Sequence, residues 1–328
     1  MSASLHWLQR RGPITPAPQH DGFAADLLAA LEHRPRSISP KYFYDAAGSA
    51  LFDRICELPE YYPTRTELAI LSDSAAAMAE RLPQQVEIVE FGAGSLRKVR
   101  LLLDALRGRA VRYIPIDISG EHLAAAAAQV RLDYPWVQVE PWVADYTQPM
   151  HAMPALAAGA FRLGFFPGST IGNLAPAQAL HFLREAASVL RGGALLLGTD
   201  MVKDPAVLHA AYNDAAGVTA AFNLNLLVRA NRELGSDFVS HQFAHHAFYN
   251  APLQRIEMHL ISRVRQTVHL SGKSFEFLEG ETLHTENSHK FTPDSVSALA
   301  QKAGMQLSHT WTDAARWFSV HWLDVSGD

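Results

Sequence analysis

The chain has 328 residues, 48% of them hydrophobic and 19% charged, with a formal net charge of −5. At roughly 150 residues per domain this length allows about two domains, and the composition is that of a globular chain, not of a disordered, collagen-like or strongly basic one. The acidic balance excludes the electrostatic footprint of a general nucleic-acid binder, and the single cysteine, Cys56, excludes an internal disulfide and any multi-thiolate metal site. One thiol in a chain this long fits a reducing compartment. No run approaches the ~18 apolar residues of a membrane span. Residues 1–19 carry Arg10 and Arg11 but no apolar stretch ahead of a small-residue cleavage site, so they read as an arm and not as a secretory signal. A cytoplasmic protein is expected.

In chain order, Leu68, Leu71, Ala75, Met78 and Leu82 recur at steps of three and four and predict a helix after Pro63. Residues 86–91 form a short apolar strand, broken by Gly92-Ala93-Gly94. A helix follows with Val99, Leu102, Leu103 and Leu106 on one side. Residues 111–116 predict a second strand ending at Asp117, 121–134 a helix, 137–143 a third strand ending at Asp145, and 161–166 a fourth. Pro176 opens a helix that Gly192-Gly193 stops, and 194–198 is a fifth strand. This alternation is that of β-α-β units and a parallel sheet. Toward the end, Thr292-Pro293-Asp294 starts a helix that Gly304 terminates; two strands follow, the last over 317–325 and antiparallel, completing a sheet of seven. Between Met201 and Lys290 the texture changes. Residues 255–270 alternate apolar and polar side chains, predicting one half-buried antiparallel strand, and Ser271-Gly272-Lys273 turns it into another carrying Phe275 and Phe277. This insertion and the segment before Pro63 are expected to form a smaller α+β lobe over the sheet's carboxyl edge, where open α/β sheets bind ligands.

The strongest local signal is Glu90-Phe91-Gly92-Ala93-Gly94 between a strand and a helix. Glycines there allow close approach of a ligand, and the helix N-terminus offers free N–H groups. A dinucleotide fingerprint would place a third glycine where Arg97 stands, and a P-loop would need a Gly-Lys-Ser/Thr ending. The looser glycine turn that remains suits S-adenosylmethionine. Asp117 and Asp145 end consecutive strands, where carboxylates can accept from ribose hydroxyls and from an adenine amino group. Tyr146 is placed to stack, and Lys98 is within reach of a ligand carboxylate. Taken singly, each aspartate also reads as a turn or helix-cap residue and Lys98 as a solvated lysine; the combination favours a site.

Five further segments extend the pattern: Ser39-Pro40-Lys41-Tyr42-Phe43-Tyr44-Asp45, Leu58-Pro59-Glu60-Tyr61-Tyr62-Pro63-Thr64-Arg65, Phe165-Phe166-Pro167-Gly168-Ser169-Thr170-Ile171-Gly172-Asn173-Leu174, Tyr212-Asn213-Asp214 and Thr285-Glu286-Asn287-Ser288. With them the chain resembles, over nearly its whole length, the L-histidine Nα-methyltransferase family of ergothioneine biosynthesis. The resemblance implies a class I methyltransferase fold, with a Rossmann-like seven-stranded sheet, plus a family-specific lobe. It divides the chain into an arm (1–19), a substrate-binding domain (20–65 plus 202–290) and an S-adenosylmethionine-binding domain (66–201 plus 291–328). It further implies that Gly92, Lys98, Asp117, Asp145 and Tyr146 hold S-adenosylmethionine. Tyr61, Asn173 and Tyr212 would hold the amino and carboxylate groups of histidine, Glu286 and Ser288 would read its imidazole, and Tyr44 and Met258 would line the pocket. The implied partners are histidine and its mono- and dimethylated forms, taken up by a monomer, with no nucleic acid or membrane. Tyr146 stands where the family often has phenylalanine, which preserves an aromatic face.

These roles are chemically coherent. Glu286 and Ser288 are two apart and share a face of an extended segment, so a carboxylate and a hydroxyl can engage both ring nitrogens, which an apolar pocket could not distinguish. An amide at Asn173 both donates and accepts. Out of context, Tyr61 would read as core and Glu286 as a surface acid. His241, His245 and His246 would face one side of a helix if the segment were helical, but no acid accompanies them in a known signature and no metal is expected. Methylation of another amino acid is the alternative activity, and a non-catalytic S-adenosylmethionine sensor the alternative class.

Overall fold

The computed structural model describes residues 19–94, 96–150 and 153–327; the arm expected over 1–19, Gln19 apart, lies outside the described residues. Its larger sheet has the strand order Met305–Thr312, Phe318–Val325, Ala194–Asp200, Phe161–Phe166, Val86–Phe91, Ala110–Asp117, Gln138–Val139, with Trp142–Val143 also paired to Ala110–Asp117. Phe318–Val325 runs antiparallel to both neighbours, and every other pairing in the sheet is parallel. Seven strand positions result, as expected, once the two short edge pieces are counted as one interrupted strand.

That interruption corrects the third strand. The expected run 137–143 splits at Glu140-Pro141, because proline has no N–H to give the ladder. At the other end, the last strand begins at Phe318; Trp317 leaves the ladder and packs its ring edge-on to Tyr62 at 5.1 Å.

Helices cover both faces. Tyr62–Glu80, Arg97–Ala105 and Gly120–Asp133 bury Leu71, Met78, Leu102, Leu103, Leu123 and Val130 against one side. Pro176–Val189 and Pro293–Lys302 bury Phe182, Leu183, Val296 and Ala300 against the other. Strand Val86–Phe91 lies between Ala110–Asp117 and Phe161–Phe166. Its carboxyl end is therefore the point where the strand order reverses, which is where an open α/β sheet has its ligand crevice.

A second sheet has the order Arg36–Ser37, Thr282–His289, Arg255–Ser262, Phe243–Asn250. It is assembled from the segment before Pro63 and from the insertion. The long alternating run of the sequence proves to be two strands, Arg255–Ser262 in this sheet and Gln266–Leu270 in a separate hairpin with Lys273–Phe277. The break follows from local hydrogen bonding. Ser262 Oγ donates to Val264 O at 2.8 Å, a side chain competing with the ladder, and Ser262 N turns to Glu281 O at 2.9 Å. The hairpin turn is as expected, with Ser271 and Gly272 both at positive φ, 51° and 75°. His245 and His246 lie on strand Phe243–Asn250, so the helical spacing considered for the histidines does not exist. Two helices that periodicity did not single out, Pro205–Tyr212 and Val218–Leu234, fill the space beside this sheet.

The two sheets meet at one place. Phe291 N donates to Asp200 O at 2.8 Å, Phe291 bridges Met201 in parallel, and Gly172 lies so close to His289 that a Cβ there would sit 2.8 Å from His289 O. Gly172 is thus required by backbone approach. It seats the loop carrying Asn173 on the strand carrying Glu286 and Ser288.

Candidate active site

The glycine turn is held at the carboxyl end of Val86–Phe91 by left-handed backbone at Gly92 (φ 67°) and Gly94 (φ 48°). Tyr146 covers it: a Cβ on Gly92 would be 3.3 Å from Tyr146 Cε1. Asp117 ends its strand with Oδ1 accepting from Ser119 N at 2.9 Å, while Oδ2 faces Gly94 N at 3.3 Å. Asp145 is also a turn residue, with Oδ1 accepting from Thr147 N at 2.9 Å and Oδ2 3.9 Å from Lys41 Nζ. Both aspartates are turn residues: Asp117 accepts from its own turn with one oxygen and from Gly94 N of the glycine turn with the other, while Asp145 Oδ2 has Lys41 Nζ 3.9 Å away. Lys98 is not a solvated lysine. Its ammonium sits 2.5 Å from Glu67 Oε2, and a Cβ on Gly168 would meet it at 3.3 Å.

Glu67 was not singled out by the sequence. It is fully buried and accepts from Gly168 N with both oxygens, at 3.0 and 2.9 Å, so it ties the loop after the fourth strand to Lys98. A buried carboxylate requires such partners. Glu90, next to the glycine turn, is buried too. Burial pushes its pKa up to about 8, opposed by the hydrogen bond from Tyr113 and by Lys98.

On the other side of the crevice Tyr61, Tyr212, Met258 and Glu286 line a cavity of about 20 Å³ together with Phe52, Ile55 and Phe222. Register explains part of this, since Glu286 pairs directly with Met258 across the small sheet. Tyr44 packs edge-on to Phe52 and Phe222 at 5.7 and 5.8 Å, and Tyr61 does so to Phe52 and Tyr212 at 6.2 and 6.3 Å. A cavity of this size admits about one water, so an amino acid enters only as these rings move apart.

Polar groups here are uncommitted. Among the described residues, the Glu286 carboxylate and the Tyr44 and Tyr61 hydroxyls have no hydrogen bond, and Thr219 Oγ1, which lines the cavity, is a buried atom without a partner. Buried polar groups are normally paired, so apolar walls with unspent donors and acceptors have the character of a binding site. Burial raises the Glu286 pKa to about 7, with Lys290 partly opposing. Burial also pushes the Tyr44 and Tyr61 hydroxyls well up and raises that of Tyr212 against the opposing Lys290, which keeps all three protonated.

Ser288 is buried and is not among the residues that line this cavity; its hydroxyl is held by two donors. Tyr212 OH donates to Ser288 Oγ at 2.7 Å and Lys290 Nζ donates to it at 2.8 Å. Lys290 also pairs with Asp200 Oδ2 at 2.8 Å, and Asp200 accepts from Tyr62 OH at 2.7 and 2.8 Å and from Lys203. Burial disfavours the charge on Asp200, but the two lysines more than reverse this and hold its pKa below the usual carboxylate range. None of Asp200, Lys203 and Lys290 was read from the sequence. A signal existed for Lys290, which continues the two-residue step of Glu286 and Ser288.

One group of potential metal ligands is present among the described residues: atoms of Glu257, His259 and His284 lie within 4.8 Å of one another. Glu257 is already held by Arg255 (2.9 Å) and Asn250 (2.9 Å), and the rings of His259 and His284 stack at 4.7 Å. The guanidinium supplies the positive charge there, so the group reads as an ion pair with stacked rings.

The family profile described as "Histidine-specific methyltransferase, SAM-dependent" matches residues 23–325. The chain is 44% identical to the histidine N-alpha-methyltransferase of Mycolicibacterium smegmatis, over 90% of this chain and 92% of that one. It is 42% identical to that of Mycobacterium tuberculosis, over 92% and 94%. The ergothioneine biosynthesis protein 1 of Neurospora crassa is 31% identical over 85% of this chain, which spans 32% of that longer protein. Among the described residues no helix is long and apolar enough to cross a membrane. With its glycine turn, its two crevice aspartates and a second sheet closing the carboxyl edge, this chain belongs to the family of histidine-specific, S-adenosylmethionine-dependent methyltransferases.

Proposed function

We propose that the chain methylates the α-amino group of L-histidine three times in succession, giving hercynine for ergothioneine biosynthesis. The observation that carries this reading is the pairing of two anchors on one strand, the uncommitted Glu286 carboxylate and the Ser288 hydroxyl, with the Asn173 loop seated on that strand through Gly172. Relatives named histidine N-alpha-methyltransferase over nearly the whole length support it.

The residues of the crevice fit S-adenosylmethionine. The Gly92 cradle is one that any Cβ would crowd, Tyr146 offers a ring beside it, Asp117 ties the glycine turn through Gly94 N, and Asp145 keeps an oxygen free of its turn. Bound there, S-adenosylmethionine supplies an already activated methyl group. The protein's task is then to align the acceptor amine in line with that methyl. Glu286 and Ser288 fix the ring end of histidine, and Tyr61, Asn173 and Tyr212 fix the amino-acid end, so the nitrogen stays in place as its substituents grow. Tyrosines kept protonated by burial act as hydrogen-bond partners and present ring faces to a cationic ammonium; they are not phenolate bases. The α-amine gives up one proton for each of the transfers.

The test is incubation of the purified protein with methyl-labelled S-adenosylmethionine and each free amino acid, with products resolved by mass spectrometry. The expected result is label on histidine alone, at the α-nitrogen, progressing to the trimethylated product. Preferential labelling of another amino acid, or of the imidazole, overturns the reading.

A further inference from the structure

Three hydrogen-bond donors on one buried cation decide how the ring anchors are polarised. Lys290 has a fully buried side chain, and its ammonium has three acceptors: Asp200 Oδ2 at 2.8 Å, Ser288 Oγ at 2.8 Å and Tyr212 OH at 3.3 Å. An ammonium has three N–H donors and no lone pair, so it can only donate, and here its donors are all spent. Tyr212 donates its single hydrogen to Ser288 Oγ at 2.7 Å. A serine hydroxyl accepts at most two hydrogens and donates one. Both acceptor positions of Ser288 are therefore filled, by Lys290 and by Tyr212, and neither contact takes the serine's own hydrogen. Two residues earlier on the same face stands Glu286, whose carboxylate only accepts when ionised.

We propose that Lys290 is a positioning residue that acts through Ser288: by saturating its acceptor side it makes Ser288 an obligatory donor, so that the pocket presents one donor and one acceptor and selects the neutral imidazole in a single tautomer. This rests on the reading of Glu286 and Ser288 as imidazole anchors and goes beyond it. The ring must bring a lone pair to Ser288 and an N–H to Glu286. An imidazolium, with an N–H at both nitrogens, meets Ser288 donor to donor. Asp200 is what keeps the ammonium charged, and it belongs to the last residue of the strand Ala194–Asp200, so the polarity of the acceptor pocket is set from the edge of the cofactor sheet.

The experiment uses the full chain saturated with S-adenosylhomocysteine, whose own titration reports a folded cofactor site. Calorimetry gives affinities of the wild type and S288A for histidine, for both thiazolylalanine isomers (a ring lone pair and no N–H) and for both pyrrolylalanine isomers (an N–H and no lone pair). Expected is a loss of about tenfold in S288A for histidine and for the thiazolyl isomer that binds, with the pyrrolyl isomers changed less than about twofold. The reverse pattern, pyrrolyl weakened and thiazolyl spared, makes Ser288 an acceptor and overturns the proposal. A second arm compares histidine KM for K290M, S288A and the double variant. K290M is expected to raise KM about tenfold, and the double variant to stay within about twofold of S288A, because Lys290 acts only through the hydroxyl. An unchanged KM in K290M, or losses that multiply in the double variant, removes Lys290 from this role. Where K290M fails to bind S-adenosylhomocysteine, the analogue series, which leaves Lys290 in place, decides the donor assignment. If S288A leaves histidine affinity intact, the fault lies in the anchor reading beneath the proposal.

Discussion

Two buried carboxylates sit at opposite ends of the same sheet, each set against two bases. At the amino end, Glu87 accepts from Arg112 Nε at 2.6 Å and from Arg162 Nε at 2.5 Å. The spare guanidinium donors run to carbonyls of the surrounding loops, Pro154 O at 2.7 Å and Val189 O at 3.0 Å. At the carboxyl end, Asp200 stands against Lys203 and Lys290, and the spare donors of Lys290 run to the hydroxyls of Ser288 and Tyr212. The first cluster is closed on backbone and on the Glu140 carboxylate, 3.5 Å from Arg112 Nη1; the second ends on hydroxyls, which can rotate. If Ser288 anchors the substrate as proposed, what separates structure from recognition is not burial or charge but where the last hydrogen of the network points.

The sharpest way to break the comparison is to remove each acid in turn. Glu87→Ala leaves the buried Arg162 guanidinium without a counter-charge and Arg112 with Glu140 alone, 3.5 Å away, and stability is expected to fall by about 3–5 kcal/mol in chemical denaturation. The histidine KM of the folded fraction should stay within about twofold of wild type, because nothing in that cluster reaches the pocket. Asp200→Asn is expected to lose stability as well, but also to raise histidine KM by about tenfold or more, since Lys290 no longer has its carboxylate. If Asp200→Asn altered stability and left KM untouched, the two clusters would be equivalent.

The sequence made one of these regions far more legible than the other. The cofactor side is local: a strand, a glycine turn and a helix are contiguous, and Val86–Phe91 and Phe161–Phe166 fall where the apolar runs place them. Asp117 and Asp145 follow from strand ends. The acceptor side is assembled from separated stretches, and its roles for Tyr61, Asn173, Tyr212 and Glu286 came from family motifs and not from periodicity. Lys290 was read only as the end of an insertion, because what makes it special is Asp200, 90 positions away. Glu67 carries no signal of its own in the helix after Pro63; its meaning comes from Gly168, 101 positions away. The misread strand at 255–270 has the same origin, as the alternating pattern runs straight through the point where Ser262 turns the backbone aside.

A smaller effect tests the acceptor half of the pocket. Glu286→Gln removes an ionisable acceptor and is expected to weaken histidine about 10- to 100-fold, in line with a hydrogen bond to a charged group, with S-adenosylhomocysteine affinity unchanged. The pH dependence carries the sign. The Glu286 pKa is raised to about 7, so the ionised acceptor is present above that value and lost as pH falls through it. Wild-type histidine affinity should therefore drop between pH 8 and pH 6, by more than protonation of free imidazole near pH ~6.5 accounts for, and the Gln variant should keep only the imidazole contribution. The free protein responds with opposite sign. A carboxyl whose folded pKa lies above its unfolded one stabilises least where it is forced to ionise, so the ligand-free Gln variant should be more stable than wild type above pH 7. Equal pH profiles for the two proteins would detach Glu286 from ring recognition.

The smallest effect belongs to the cofactor cradle and asks whether its geometry is set by backbone or by the ring above it. At Gly92 a side chain faces two separate costs. Its φ of 67° lies in the left-handed region, worth roughly 1–2 kcal/mol for a non-glycine residue, and its Cβ would come within 3.3 Å of Tyr146 Cε1. Gly92→Ala should therefore weaken S-adenosylhomocysteine about tenfold in calorimetry while leaving histidine KM at saturating cofactor nearly unchanged. Tyr146→Phe keeps the carbon that the new Cβ meets, so it should not rescue Gly92→Ala. Tyr146→Ala removes that carbon, and the penalty of Gly92→Ala measured in its background should shrink to the backbone part alone. Full recovery there would mean that the glycine is needed only to clear the ring; no recovery would mean that the left-handed turn is what the site requires.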